Sequence, residues 1–322
     1  MEPSFGVIIG CCPRDLRYAL GCYASVGYFM PGVPVCFLYD GTGAPACLRG
    51  LPNTLILDRD TVKDGFLRAS SFGPGITKMI SFFESPFDRF LFLDADTVLC
   101  GDLNRINDLD HYEFIIDKRS TYDDNAITAY FFDVDMMRLR FPAFDIDAHR
   151  DEFFCTGAFM ARRNALSLSR YKDLLALSKS VPGFFKYWEM GMLNFMIFEA
   201  KDQGRCRVLG TDYQVVTNDY PARMLKSRFD AAVAQPDAVQ HPVVYHFCGQ
   251  KPFVFQNAPY TEPMTYFRLM FKKTFGTCKG MFALPALLAE DLVYLHLPAL
   301  KRKARSAMRL LGQHGKRLCG QT

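Results

Sequence analysis

The sequence has eleven cysteines, at positions 11, 12, 22, 36, 47, 100, 155, 206, 248, 278 and 319, but no C-x-x-C pair. An odd number without framework spacing argues against a secreted disulfide scaffold and against a cysteine metal site, and for buried thiols in a reducing cytosol. Met1-Glu2-Pro3 runs straight into Phe5-Gly6-Val7-Ile8-Ile9, with no basic n-region and no apolar run long enough for a signal peptide or anchor, so a cytoplasmic location is expected. Internal repeats and low-complexity stretches are absent. The segment after the first expected strand, Gly10-Cys11-Cys12-Pro13-Arg14-Asp15, holds a single glycine and therefore lacks a glycine-rich phosphate loop. Acid is missing from one region: residues 301–322 carry seven Lys or Arg and no Asp or Glu. The net charge of +4 thus comes from this tail, the rest of the chain being slightly acidic.

What is present suits an enzyme-sized core. Of 322 residues, 49% are apolar, with 30 Phe and 15 Tyr, enough for one large core or a core plus a small appendage. β and α patterns alternate from the start. Strands are predicted at Phe5 to Ile9, Val35 to Leu38, Thr54 to Leu57 and Tyr112 to Ile116, and a helix at Leu16 to Tyr28. This order predicts an α/β fold with a mainly parallel sheet flanked by helices. Phe184 to Glu199 is predicted as a further core helix.

The most informative run is Arg89-Phe90-Leu91-Phe92-Leu93-Asp94-Ala95-Asp96, a buried strand that ends at two carboxylates spaced i, i+2. Ligands of open α/β sheets gather at the carboxyl ends of such strands. In extended chain the two side chains leave the same face, with Cα atoms roughly 6.6 Å apart. They can then share a hard divalent cation, which points to metal-assisted chemistry on an anionic leaving group. The structural alternative is a turn whose acids cap a helix or face water.

Two other segments favour the chemical reading. Ile76, Met79, Ile80 and Phe83 fall at i, i+3, i+4, i+7, predicting a helix over 75–83 with Lys78 off its apolar stripe. Val243-Val244-Tyr245 is a second strand, ending in His246-Phe247-Cys248-Gly249-Gln250-Lys251. Imidazole is a good ligand for a transition metal, and glycine lets backbone approach a phosphate. Asp133-Val134-Asp135 is a rival acid pair and Asp145-Ile146-Asp147 a weaker one, both without a nearby lysine-bearing helix. They lie in a stretch, about 118–151, that is expected to shape an acceptor side or form a lid.

From about Phe5 to Phe253 the chain resembles the retaining glycosyltransferases typified by glycogenin and the lipopolysaccharide α-galactosyltransferases, conventionally glycosyltransferase family 8. The match is carried by Thr77-Lys78, by Phe87 through Thr97, by Cys155-Thr156-Gly157, by Glu189-Met190-Gly191-Met192-Leu193-Asn194, and by His246-Phe247-Cys248-Gly249-Gln250-Lys251-Pro252-Phe253. The resemblance implies a GT-A, Rossmann-like catalytic domain over 1–260. It implies Mn²⁺ (or Mg²⁺) on Asp94, Asp96 and His246, with Lys78 and Lys251 at the diphosphate of a UDP-sugar donor. Gly10, Cys11, Asp15, Ala95, Cys155, Thr156, Met190 and Gly249 are the further donor contacts it suggests. Glu189 is the carboxylate expected to stabilise or attack the cationic sugar, and Asp117 a second catalytic candidate. The expected reaction moves a hexose-type sugar to a glycan, lipid-linked or protein acceptor.

The departures are specific. Cys155 and Met190 replace two polar residues that handle the donor sugar in the family, Asp15 stands about where a tyrosine meets the base, and the closing motif has one residue fewer before Lys251. A nucleotide-sugar binding protein without turnover, or a sugar-phosphate nucleotidyltransferase, would be the alternatives. The latter wants the glycine-rich loop that is missing here. Residues 261–322 are expected as a helical C-terminal extension. Met281 to Leu300 is apolar but carries Glu290, Asp291 and His296, which argues against a spanning helix. Within 301–322 the cations interleave with Ala304, Met308, Leu310 and Leu311, a pattern suited to an anionic membrane surface. The tail lacks aromatics for base stacking, so no nucleic-acid partner is expected.

Overall fold

A computed structural model describes residues 5–118, 121–187, 189–249, 251–253, 260–276 and 280–296. Among the described residues there are ten strands, β1 (Phe5–Cys11), β2 (Val35–Tyr39), β3 (Thr54–Leu57), β4 (Arg89–Asp94), β5 (Thr97–Cys100), β6 (Phe114–Asp117), β7 (Ala158–Arg162), β8 (Val208–Thr211), β9 (Gln214–Val216) and β10 (Val243–His246). Seven form a central sheet in the order β3-β2-β1-β4-β7-β6-β8, and three a small sheet in the order β5-β10-β9. The central sheet is parallel except at β7, which runs antiparallel to both β4 and β6.

Strand pleating sorts the apolar side chains into two layers. Val7, Ile9, Leu91 and Leu93 face the helix Leu16–Phe29, while Ile8, Phe90 and Phe92 face the helix Glu189–Asp202. Both faces of the sheet are therefore covered, as parallel strands require. The helix Glu262–Thr274 packs on the first helix, with Phe267 against Tyr28 and Phe29 at ring distances of 5.8 and 5.9 Å. Its Arg268, fully buried, pairs with Asp291 at 2.7 Å and Glu290 at 2.9 Å from the following helical stretch, 283–296. Burial works to lower the pKa of that guanidinium, but the two carboxylates outweigh it and hold the pKa up.

Two local expectations are corrected. The predicted helix over 75–83 is a 3-10 turn, Ile76–Ile80, followed by one α-helical turn, Ser81–Glu84. All five residues of the 3-10 turn are buried, so Lys78 lies inside and not on an outer face. β7 was not expected at all, and it mixes the sheet. The rival acid pairs are local caps: Asp133 accepts from the Met136 N–H at 2.9 Å at the start of the helix Val134–Arg140, and Asp145 accepts from the Asp147 and Ala148 N–H groups at 3.0 and 3.3 Å. Among the described residues no helix is long and apolar enough to cross a membrane. Trp188, Gln250 and the basic tail lie outside the described residues.

Candidate active site

Strand register assembles the cluster. β4 ends at Asp94, one turn carries Asp96, and β5 starts at Thr97, so this turn joins the large sheet to the small one. β10 runs antiparallel to β5 with His246 opposite Thr97, which sets the imidazole beside Asp96. The turn is pinned on both sides. Asp94 N–H donates to the Gly157 carbonyl at 2.8 Å, and Phe247 N–H donates to the Asp96 carbonyl at 3.0 Å. One ligand atom from each of Asp94, Asp96 and His246 can be chosen so that all lie within 4.8 Å of one another.

Gly157 is the floor under the imidazole. A Cβ there would fall 2.2 Å from His246 Cε1 and 2.4 Å from Nδ1, so any other residue pushes the ring away. Gly75 plays the same part for Glu189. It has φ +77 at the entry to the 3-10 turn, and a Cβ would sit 1.9 Å from Glu189 Oε2.

Two lysines hold the carboxylates. Lys78 Nζ lies 3.2 Å from Asp94 Oδ1 and 3.1 Å from Glu189 Oε1, and it donates to the Thr156 carbonyl at 2.9 Å. Burial acts to lower the pKa of this ammonium, but Asp94 and Glu189 raise it by more, so it stays charged. Lys251 Nζ donates to Asp96 Oδ2 at 2.5 Å; burial opposes its charge, and Asp96 restores it. Burial raises the pKa of Asp96, and the neighbouring His246 and Lys251 more than reverse that, leaving it low. Glu189 is raised, first by burial, with Lys78 pulling against it.

These groups stand between two adjoining clefts. The first, about 660 Å³, brings together Gly10, Cys11, Asp15, Lys78, Asp94, Ala95, Asp96, Glu189 and Lys251. The second, about 530 Å³, is lined by Cys155, Thr156, Glu189, Met190, His246 and Gly249, with Asp94, Asp96 and Lys251 shared. Asp117 is the one sequence candidate that lines neither cleft. Fully buried at the end of β6, it accepts the N–H groups of Tyr213 and Gln214 at 3.0 and 2.7 Å and ties β6 to the strand leading into the small sheet.

Sequence reasoning missed several lining residues. Asp40, directly after β2, lines the first cleft; burial raises its carboxyl pKa against the pull of Arg59. Its strand-end position carries the same signal as Asp94. Tyr294, from 283–296, also reaches the first cleft, where the Arg17 guanidinium lies 3.2 Å over its ring centre. Tyr130 and Tyr187 line the second cleft. The thiols of Cys155 and Cys248 converge on His246, a grouping that cysteine spacing does not show, because Cys155 lies 91 and 93 positions from the other two.

No protein-family model matches this sequence, and no curated protein is matched by it. Solved structures do share its fold. The galactosyltransferase LgtC, solved in complex with donor and acceptor sugar analogs, superposes with a TM-score of 0.52 at 16% identity, covering 82% of this chain and 95% of that one. The glycosyltransferase GlyE of Streptococcus pneumoniae TIGR4 is similar at a TM-score of 0.50 and 16% identity; 83% of this chain is covered, and it spans 61% of that protein. The chain has the GT-A glycosyltransferase fold.

Proposed function

We propose that this chain is a metal-dependent, retaining glycosyltransferase that moves a hexose-type sugar from a nucleoside-diphosphate donor, with UDP the nucleotide implied by the sequence resemblance. The observation that carries the proposal is the convergence of two strand-end carboxylates, an imidazole, two lysines and Glu189 at the seam between two clefts. Two carboxylates and one imidazole make a donor set suited to Mn²⁺ or Mg²⁺. Asp94, Asp96 and His246 would hold the ion, which when bound neutralises charge on a departing diphosphate.

The chain's own residues do the rest. Lys78 and Lys251 fix positive charge beside the acids, which favours the negative charge of a departing diphosphate there. The cleft with Gly10, Cys11, Asp15 and Ala95 takes the nucleotide; the cleft with Cys155, Thr156, Met190 and Gly249 takes the sugar and acceptor. Glu189 lines both clefts, and its carboxylate would stabilise the cationic sugar. The acceptor is a glycan, a lipid-linked glycan or a protein. A cytoplasmic site of action is supported by the nine described cysteines, all free. The tail 301–322 would attach the enzyme peripherally to anionic lipid.

The test is a panel of common nucleotide sugars, each incubated with the protein and Mn²⁺, with nucleoside-diphosphate release measured. One donor should be hydrolysed slowly, and Asp94→Asn or Asp96→Asn should lower that rate at least about a hundredfold, a loss of ~2.7 kcal/mol of transition-state stabilisation. Binding of a donor without release from any would make the chain a nucleotide-sugar binding protein. Full activity of both variants in excess chelator would remove the metal from the mechanism.

A further inference from the structure

The imidazole of His246 stands between two ligand sets of different chemistry. Its Nε2 faces Asp96 Oδ1 at 3.7 Å. Its Nδ1 faces the sulfur of Cys155 at 3.6 Å. Cys248 completes the second set: ligand atoms of Cys155, His246 and Cys248 lie within 4.8 Å of one another. With zinc–sulfur bonds of about 2.3 Å and zinc–nitrogen bonds of about 2.05 Å, two neighbouring ligands of a tetrahedral zinc ion stand about 3.6 Å apart. Cys155 and His246 already have that separation.

The parts are held in place independently of any ion. Gly157 seats the imidazole, Gln214 Nε2 donates to the Cys155 carbonyl at 2.9 Å, and Asn218 Nδ2 donates to the Cys248 carbonyl at 3.1 Å. Cys248 lies on the exposed side, which gives an ion a way in from solvent.

We propose that Cys155, His246 Nδ1 and Cys248 form a second metal site, for zinc or a cation of similar softness, and that filling it disables the Asp94–Asp96–His246 site. Thiolate and imidazole select zinc, whereas carboxylates suit Mn²⁺ and Mg²⁺, so the two sets sort different ions. On binding, each thiol releases its proton to solvent and the sulfur forms the metal bond. A neutral imidazole has one N–H and one lone-pair nitrogen. A metal on Nδ1 therefore leaves the proton on Nε2, which can no longer serve the carboxylate side. The two sites exclude each other through one ring. The inhibitory half of this proposal rests on the glycosyltransferase reading; the existence of the thiolate site does not.

The experiment uses the reduced, chelator-treated full chain and Co²⁺ as a spectroscopic stand-in for zinc. Wild type should bind Co²⁺ with a thiolate-to-cobalt charge-transfer band, which stoichiometric Zn²⁺ abolishes. Cys248→Ser should lose the band, and Cys248→Ala, as a second variant at the same exposed position, should lose it too. Mn²⁺ binding, followed by the electron paramagnetic resonance of the free ion, should weaken at least about tenfold in the presence of one equivalent of Zn²⁺ in wild type but not in Cys248→Ser. Cobalt binding without a sulfur band would place the ion on the carboxylates and overturn the proposal, whatever the donor assay shows. A band that persists in both Cys248 variants would overturn it as well. A sulfur band with Mn²⁺ affinity unchanged by zinc would overturn the exclusion. A sulfur band in a protein that releases no nucleotide from any donor would sustain the site and remove the enzyme reading instead.

Discussion

At the scale of single residues, the site depends on what is absent beside His246 as much as on what is present. Gly157→Ala adds one methyl group where the imidazole already sits 2.2 Å away, so the ring must turn off its present axis. The expected result is a fall in Mn²⁺ affinity of at least about tenfold, the size seen when a ligand's supporting contacts are lost. Calorimetric titration with Mn²⁺ measures it, and unchanged affinity would show that the ring can move without cost. Glu189 makes a complementary case. It is buried, its proton affinity is raised first by that burial, and Lys78 at 3.1 Å pulls against the rise. If its charge stabilises a cationic sugar, Glu189→Gln should lower kcat by at least about tenfold, or ~1.4 kcal/mol, with donor affinity little changed. An unaltered kcat in steady-state kinetics would leave Glu189 only its ion pair with Lys78. Asp94 and Asp96 were legible because acids stopped an apolar run. The partnership of Lys78 with Glu189 was not, since 111 positions separate them and the contact exists only when the 3-10 turn is folded under the sheet.

At the scale of elements, the stretch expected to form a lid is anchored by a histidine. His149 lies at the end of a short 3-10 turn, Asp147–His149, stacked between Phe144 and Phe198 at ring distances of 5.4 and 4.7 Å. Its two nitrogens meet Glu152 at 2.8 Å and Asp202 at 3.0 Å. Burial acts to lower its pKa, yet the two carboxylates leave it raised above the ordinary value. A group whose proton affinity is higher in the folded state stabilises that state fully below its unfolded pKa, near 6.5, and loses the contribution as pH rises through the folded value. Each tenfold difference in proton affinity between folded and unfolded chains corresponds to about 1.4 kcal/mol. Urea midpoints of the wild type should therefore fall from pH 6 upward by more than those of His149→Phe, a substitution that keeps the stack and removes the titration. Parallel curves for the two proteins would exclude His149 as the source. The element pattern itself was readable where strands alternated with helices. β7 escaped because Ala158-Phe159-Met160-Ala161-Arg162 is a short apolar run whose period does not separate a strand from a buried helix. The 3-10 turn escaped because over five residues its apolar spacing is the same as that of an α-helix.

At the scale of the whole molecule, charge and topology together say where an attached surface would lie. The slightly acidic body and the seven cations of residues 301–322 make the chain strongly asymmetric. Tyr294 lines the first cleft, and the first lysine of the tail follows seven residues later. Even fully extended, that connection spans at most about 25 Å. A tail bound to lipid would thus keep the cleft close to the membrane, where a lipid-linked acceptor would be concentrated. Near an anionic surface the seven cations could contribute up to about 1 kcal/mol each, with Met308, Leu310 and Leu311 adding apolar burial, enough for reversible attachment without a span. Deleting 301–322 should abolish sedimentation with anionic vesicles while leaving hydrolysis of a soluble donor unchanged, because none of the residues at the two clefts belongs to the deleted segment. Raising the salt should release the full chain, since screening shortens the reach of surface charge. Vesicle binding by the truncated chain equal to that of the full one, or none by the full chain at low salt, would remove the tail from any membrane role.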